Sequence, residues 1–334
     1  MIISKTPLRV SFCGGGSDLP SFYSRHGGCV LSTAIDKYVY LAIHKSFYPN
    51  KYILKYSDME RVDSPASIKH PIFRQCLLDY DTGPVEITSM ADVPAGTGLG
   101  SSSSFSVGLI NVLRAYQDLD NNKELLASEA CKLEIEKLGE PIGKQDQYAA
   151  AYGGLRFYRF NRDGAVDVEN VCMDPDDMSA MESRLMMFYT GITRKASSIL
   201  SEQKRNVTSG MAEERQLRLC RMAESLKNEL ENGNIDALGQ TLDESWRIKK
   251  TLASGISSDS IDEYYESAMD NGALGGKLLG AGGGGFILLY APEDRQDDIR
   301  RNMPKHCREM PFCFDSDGSV LLYNDRMLTE HGHP

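Results

Sequence analysis

Three glycine-dense segments carry most of the chemical information in this sequence. They are Cys13-Gly14-Gly15-Gly16-Ser17-Asp18, Pro94-Ala95-Gly96-Thr97-Gly98-Leu99-Gly100 running into Ser101 to Ser104, and Gly280-Ala281-Gly282-Gly283-Gly284-Gly285. Glycine loses more conformational entropy on folding than any other residue, so such runs mark backbone that approaches something closely or turns through positive φ. The middle segment opens a helix. A glycine arch entering a helix presents unpaired N–H groups to an anion such as a phosphate, reinforced by the helix dipole. Ser101, Ser102 and Ser103 add hydroxyl donors for phosphate and oxygen ligands for a hard cation such as Mg²⁺. A tight turn capped by a serine is the competing reading, and the length of the segment favours the phosphate cradle.

Two common nucleotide motifs fail here. A P-loop requires four residues between its first glycine and a Gly-Lys-Ser/Thr, and neither Gly143-Lys144-Gln145 nor Gly276-Lys277-Leu278 meets that pattern. A dinucleotide fingerprint requires strand, GxGxxG and helix within alternating βαβ units. Gly96-Thr97-Gly98-Leu99-Gly100-Ser101 lacks the third glycine, and no such alternation surrounds it. A dehydrogenase is disfavoured.

The elements that must position these loops follow from periodicity. Ile2 to Phe12, Gly28 to His44 and Val85 to Met90 are rich in β-branched and aromatic residues and read as strands, with a helix at Ile68–Tyr80. Helices are expected at Ser101–Asp118, Asn122–Leu138 and Lys144–Tyr152, then strands at Gly154–Phe160, Val166–Cys172 and Arg184–Tyr189. In Gly210–Asn232, Leu219, Met222, Ala223, Leu226 and Leu230 recur at helical spacing, and Ile235, Leu238, Leu242 and Trp246 repeat it. The lone Trp246 is therefore expected in a core. Strands around the third glycine loop (Gly275–Gly280, Gly285–Tyr290), a helix at Glu293–Arg301 and a terminal strand pair complete the chain. The polar stretch DPDDMSAMES at 174–183 is the best candidate boundary, which divides the chain into residues 1–178 and 179–334. The pattern is that of an α+β protein in two halves.

Composition bounds the partners. The chain has 334 residues, 41% hydrophobic and 25% charged, enough for a substantial core. Its 37 Lys and Arg against 47 Asp and Glu give a net charge of −10, which argues against sequence-independent nucleic-acid binding. No apolar run reaches the length of a membrane helix, and the N-terminus does not read as a signal segment, so a soluble, cytoplasmic protein is expected. The eight cysteines are scattered with no CxxC pair and read as reduced core thiols. His306, Cys307 and Cys313 lack the partners that a structural zinc site needs.

Taken in order, PLRVSFCGGGSDLPSFY, DVPAGTGLGSSSSFSVGL and KLLGAGGGGFILL resemble the three motifs of the GHMP kinases, the superfamily of galactokinase, homoserine kinase, mevalonate kinase and phosphomevalonate kinase. The resemblance runs from Pro7 to Leu289. It implies a two-domain α+β fold, with a half similar to ribosomal S5 domain 2 followed by a ferredoxin-like half, and ATP in the cleft between them. It places Pro94, Gly96, Thr97, Gly98, Leu99, Gly100 and Ser101 to Ser103 around the ATP phosphates. The stretch Glu134 to Gln147 resembles the galactokinase and mevalonate kinase segment in which a glutamate precedes an aspartate. By that likeness Glu134 and Ser102 hold Mg²⁺, and Asp146 faces the acceptor hydroxyl with Arg9 beside it. Without it, Glu134 is an ordinary helix-surface acid, Asp146 complements a helix dipole, and Arg9 covers apolar surface.

The acceptor is narrowed by motif one. Galactokinases carry Glu-His-(Thr)-Asp after its glycine and fucokinases a tryptophan at the position of Gly16, whereas this chain has Gly15-Gly16-Ser17-Asp18. The segment resembles the kinases of D-glycero-D-manno-heptose 7-phosphate, which act on the anomeric hydroxyl. That likeness implies sugar contacts at Gly15, Gly16, Ser17, Asp18, Gly282 and Gly283. A phosphorylated sugar needs a second anion site, for which Thr193 and Arg194 at an expected helix start, and less strongly Lys144, are candidates. Another sugar 1-kinase of fucokinase or galactokinase type, or a non-catalytic sugar- or nucleotide-binding relative, is the alternative.

Overall fold

The computed structural model describes residues 1–192, 202, 206 and 212–325. Thr193 and Arg194 lie outside the described residues. The N-terminal sheet is built on two long strands, β1 (Ile2–Cys13) and β2 (Gly28–Lys45), paired antiparallel along most of their length. Between them lies the short helix α1 (Pro20–His26). The strand β2 is long enough to serve two neighbours. Its first third pairs with Leu155–Phe160 and its last with Val85–Ala91, so one strand carries both arms of the sheet. The expected strands and helices of this half are present within a few residues. The hairpin Tyr52–Lys55 and Met59–Val62 is additional.

Helix α2 (Pro71–Tyr80) packs against the strongly apolar α3 (Ser101–Tyr116), which covers the sheet with Leu109, Val112 and Leu113 fully buried. Ser104 Oγ donates to the Pro7 carbonyl at 2.7 Å and Ser4 Oγ to the Gly108 carbonyl at 3.1 Å, which hold α3 close against β1. The terminal strand Val320–Asn324 pairs with Ile2–Lys5 and covers only that stretch of the outer edge of β1. Beyond it, the Arg9 N–H donates to the Leu99 carbonyl at 3.0 Å. The second glycine loop thus takes the place of a neighbouring strand, and its position over Arg9 is set by the sheet.

The second half is a four-stranded antiparallel sheet, in the order Arg308–Glu309, Leu185–Tyr189, Phe286–Tyr290, Gly275–Leu278. The two terminal strands do not pair with each other as the sequence suggested, since one joins each sheet. The helices Glu213–Glu231 and Ala237–Lys249 pack their periodic faces inward, with Leu226, Leu230, Leu238, Leu242 and Trp246 buried. The polar stretch expected as a boundary forms a helix, Pro175–Ser183, because Asp174 caps it through the Asp176 N–H and proline occupies its first position. A further helix, Asp259–Asp270, was not evident from the sequence; Ser258 caps it.

Beside the packing of the helices Glu213–Glu231 and Ala237–Lys249 on β1, the halves touch backbone to backbone at two glycine loops. A Cβ on Gly98 would lie 2.6 Å from the Leu279 carbonyl oxygen, and one on Gly280 would lie 2.5 Å from the Gly98 Cα. Both residues adopt positive φ, +87° and +72°. Only glycine permits this backbone-on-backbone contact.

Candidate active site

A cavity of about 290 Å³ lies between the halves. Its walls include Arg9, Gly15, Gly16, Asp18, Gly96, Gly98, Gly100, Ser101, Ser102, Ser103, Glu134 and Asp146, so twelve residues singled out from the sequence converge on one space.

The centre of the cavity is an ion pair. Arg9 donates from Nε to Asp146 Oδ1 and from Nη2 to Asp146 Oδ2, both at 2.8 Å, and from Nη1 to the Gly98 carbonyl at 2.6 Å. Arg9 is buried, while Asp146 keeps 26% of its side chain open to the cavity. This forked geometry fixes the plane of the carboxylate, leaving the exposed part of Asp146 to meet a ligand. Asp146 stands in the first turn of the helix Gln145–Tyr152, where the helix dipole favours its negative charge.

Glu134 lies beside the phosphate loop. It sits in a π-helical stretch, Lys132–Lys137, that continues the helix Lys123–Cys131. Widened turns of this type recur at functional sites because they redirect one side chain. Glu134 is 1% exposed and accepts hydrogen bonds from Ser102 Oγ at 3.1 Å and Gln147 Nε2 at 2.7 Å. Burial pushes its carboxyl up to about 6, against the opposing effect of bonds from Gln147, Ser103 and Ser102 and with a further rise from the charge of Asp146. Among the described residues, no cationic side chain pairs with Glu134.

Asp18 is the third carboxylate. Its oxygens accept from the Gly16 N–H at 2.9 Å and the Gln145 N–H at 3.2 Å. A Cβ on Gly143 would fall 2.0 Å from Asp18 Oδ2, so the chain reaches this carboxylate only as glycine. Burial, and then the charge of Asp146, raises the Asp18 carboxyl above its ordinary value.

Several expected residues stand behind the site rather than in it. Ser17 is fully buried, and its hydroxyl donates to the Cys29 carbonyl at 2.9 Å and accepts from the Cys29 N–H at 3.0 Å. The Ser17 hydroxyl, expected at the sugar, is placed against Cys29, where it braces motif one against β2. Lys144 is likewise turned away, with Nζ donating to the Gly164 carbonyl and lying 5.0 Å from the Tyr23 ring centre. Gly283 donates its N–H to the Ile256 carbonyl at 2.9 Å, and Gly282 packs on Ile256, outside the cavity wall. Thr97 and Leu99 are buried supports of the loop, and Pro94 is exposed at its start.

Other lining residues escaped the sequence reading. Ser11 donates to Gln145 Oε1 at 3.1 Å. Behind the wall, Gln216 Nε2 donates to the Gly14 and Gly15 carbonyls at 3.3 and 3.2 Å, tying the helix Glu213–Glu231 to motif one. Lys249 and Lys277 also line the cavity. Lys277 adjoins the third glycine run in sequence, which is a usable signal, whereas Lys249 ends an amphipathic helix and reads as an ordinary solvated terminus. All eight cysteines are free thiols, and among the described residues no group of three or more His, Cys, Asp or Glu could hold a metal ion unaided. Among those residues no helix is long and apolar enough to cross a membrane.

Residues 69–154 match the GHMP kinases N terminal domain, and residues 222–309 match the GHMP kinases C terminal domain. The chain is 30% identical over 331 residues to the D-glycero-alpha-D-manno-heptose 7-phosphate kinase of Campylobacter jejuni, covering 95% of this chain and 97% of that one. Among solved structures, a D-glycero-D-manno-heptose 1-phosphate kinase from Bacteroides thetaiotaomicron superposes with a TM-score of 0.80 at 24% identity, over 97% of this chain and 99% of that one. A putative sugar kinase from Campylobacter jejuni superposes with a TM-score of 0.74 at 26% identity, over 96% and 97% of the two chains. The chain belongs to the GHMP kinases. It is an ATP-dependent phosphotransferase whose acceptor is a hydroxyl group.

Proposed function

We propose that this kinase transfers the γ-phosphoryl group of ATP to the anomeric C1 hydroxyl of D-glycero-D-manno-heptose 7-phosphate, giving the 1,7-bisphosphate. The relative from Campylobacter jejuni, matched over nearly the full length of both chains, supports this substrate. The observation that carries the chemistry is the forked Arg9–Asp146 pair facing the cavity beneath the glycine arch. Phosphoryl transfer asks little covalent work of a protein. It needs an aligned acceptor oxygen, a group to receive its proton and neutralised phosphate charge.

In this reading Asp146 accepts the proton of the C1 hydroxyl. Arg9 holds the carboxylate in one orientation and places positive charge beside the oxygen on which negative charge develops. The backbone N–H groups of Gly96 to Ser103, at the start of α3, receive the ATP phosphates. Asp18 and the backbone of Gly15 and Gly16 orient the sugar, with the Asp18 carboxylate accepting from its hydroxyls. ATP as co-substrate fits a cytoplasmic site of action.

Glu134 and Ser102 fit Mg²⁺. A carboxylate that is 1% exposed and bonded by neutral donors is costly until a cation joins it. Mg²⁺ characteristically takes one or two protein oxygens and completes its shell with phosphates and water. Bound there, it would neutralise charge on the β- and γ-phosphates.

ATP consumption across a panel of heptose 7-phosphate, free heptose, fucose and galactose tests the proposal, with phosphorus NMR to locate the new phosphate. Turnover of the heptose 7-phosphate with phosphate appearing at C1 is expected. More efficient turnover of a neutral sugar would overturn the substrate and leave the kinase chemistry standing.

A further inference from the structure

The cavity wall contributed by the C-terminal half carries positive charge that nothing in the mechanism above uses. Lys277 lies on the strand Gly275–Leu278 and is 5% exposed. Its Nζ donates to the Phe12 carbonyl at 2.9 Å, at the point where β1 enters motif one. Lys249, the last residue of the helix Ala237–Lys249, reaches across that strand with Nζ donating to the Leu278 carbonyl at 3.4 Å and to the Gly280 carbonyl. Both side chains line the same cavity as Arg9 and Asp18.

Among the described residues, neither ammonium forms an ion pair. The described ion pairs include one at Arg9, with Asp146, and none at Lys249 or Lys277. Among the described residues their acceptors are backbone carbonyl oxygens, which satisfy hydrogen bonds but leave the charge uncompensated. An ammonium has three N–H donors, so two on Lys277 and one on Lys249 remain for a ligand. Burial lowers Lys277 to about 8 and holds Lys249 well below the usual lysine range, with the neighbouring cations adding to the effect on Lys249. A fold whose net charge is −10 has ample carboxylates elsewhere. Two buried lysines in a ligand cavity, neither paired with a carboxylate among the described residues and both disfavoured as ammonium by burial, are arranged to hold their charge against an incoming anion.

We propose that Lys249 and Lys277 seat the phosphate that the sugar substrate already carries. The inference rests on the heptose 7-phosphate reading and names the residues that would select for it. Their place favours the acceptor's phosphate over the transferred one. Lys277 hangs from Phe12, which leads directly into the loop Cys13–Asp18 assigned to the sugar, whereas the ATP phosphates have their own donors at Gly96–Ser103 and their own cation seat at Glu134. The seat also replaces the role expected of Lys144, whose ammonium is engaged outside the cavity.

The test compares Lys249→Met and Lys277→Met with wild type, using heptose 7-phosphate, free heptose and ATP as varied substrates. Each loss of a charge-assisted contact should raise KM for heptose 7-phosphate about ten- to hundredfold. KM for ATP should stay within about threefold, and the preference for phosphorylated over free heptose should shrink by the same factor as the sugar-phosphate KM rises. Lys277→Arg, which retains charge, should recover much of that preference, and thermal melting identifies any variant that fails to fold. Inorganic phosphate should compete with heptose 7-phosphate on the wild type and do so more weakly on either methionine variant. An unchanged preference in both folded variants would overturn the assignment. Equal losses on both sugars with a higher KM for ATP would instead make the lysines ligands of the transferred phosphoryl group, and would also overturn it. A wild type with no preference for the phosphorylated sugar would sink the substrate reading itself, an outcome distinct from either.

Discussion

Asp146→Asn preserves the size of the side chain and removes its charge. The wild-type Arg9 gives Nε and Nη2 to the two carboxylate oxygens at 2.8 Å each. An asparagine accepts only through its single carbonyl oxygen, so one branch of the fork becomes an N–H facing an NH₂. Arg9 is 4% exposed and is left with neutral partners, chiefly the Gly98 carbonyl at 2.6 Å. Splitting a fully buried ion pair costs about 3–5 kcal/mol. The 26% exposure of Asp146 lets cavity water reach the guanidinium, which brings the expected destabilisation down to about 1–3 kcal/mol, the cost of an unsatisfied polar group.

The catalytic loss should be larger than the structural one. A positioned acid–base group contributes about 10²–10⁴ in rate, or about 2.7–5.5 kcal/mol at the transition state. Steady-state kinetics should therefore show kcat down by that factor with KM for ATP little changed, and a melting curve should show a folded protein a few degrees less stable. Arg9→Met combined with Asp146→Asn should lose little more than Asp146→Asn alone, because the two residues act as one unit. A folded Asp146→Asn enzyme within tenfold of wild-type kcat, or fully additive losses in the double variant, would refute the role given to the pair.

Glu134→Gln and Ser102→Ala should raise the Mg²⁺ concentration for half-maximal rate while nucleotide still binds through backbone donors; wild-type Mg²⁺ dependence in both would move the metal seat elsewhere. Because burial lifts the Glu134 carboxyl to about 6 and only its ionised form attracts a cation, activity at subsaturating Mg²⁺ should fall as pH drops through about 6 and recover with added Mg²⁺. A pH–rate profile of Glu134→Gln should lack that limb. Ser17→Ala should cost about 1–3 kcal/mol by leaving the Cys29 N–H and carbonyl without their partner, measured by denaturant unfolding, with the sugar KM little altered; a selective rise in that KM would restore Ser17 to the sugar site.

How much of this was legible beforehand depends on the range of the interaction. Strands and helices with strong periodicity, such as Ile2–Cys13, Ser101–Tyr116 and Glu213–Glu231, follow from local pattern and fall close to the expected bounds. The glycine arch was visible because its function requires an unusual composition. Where Ser17 and Lys144 point was not legible, because a side chain's direction at a loop is decided by distant backbone, here Cys29 and Gly164. The π-helical turn that aims Glu134 inward has no sequence mark, since Glu134 and Glu136 look alike until one is buried and the other is not. Lys249 was invisible for a related reason: a basic residue at a helix C-terminus is ordinary, and only the packing of that helix over Gly275–Leu278 turns it into a cavity wall.

What the cleft leaves uncompensated defines what it must receive. Of its six charged groups named above, Arg9 and Asp146 neutralise each other directly. Asp18 is held by two backbone N–H groups, Glu134 by a serine and a glutamine, and the two lysines by carbonyl oxygens. Neutral partners satisfy the geometry of a buried charge without cancelling it, so each of these groups gains when a complementary ligand excludes the remaining water. On the proposed reading a sugar hydroxyl network would answer Asp18, a hard cation Glu134, and an anion Lys249 with Lys277. A neutral hexose would satisfy the first and leave the lysines unmatched, so a phosphorylated acceptor makes fuller use of this cavity than an unphosphorylated one.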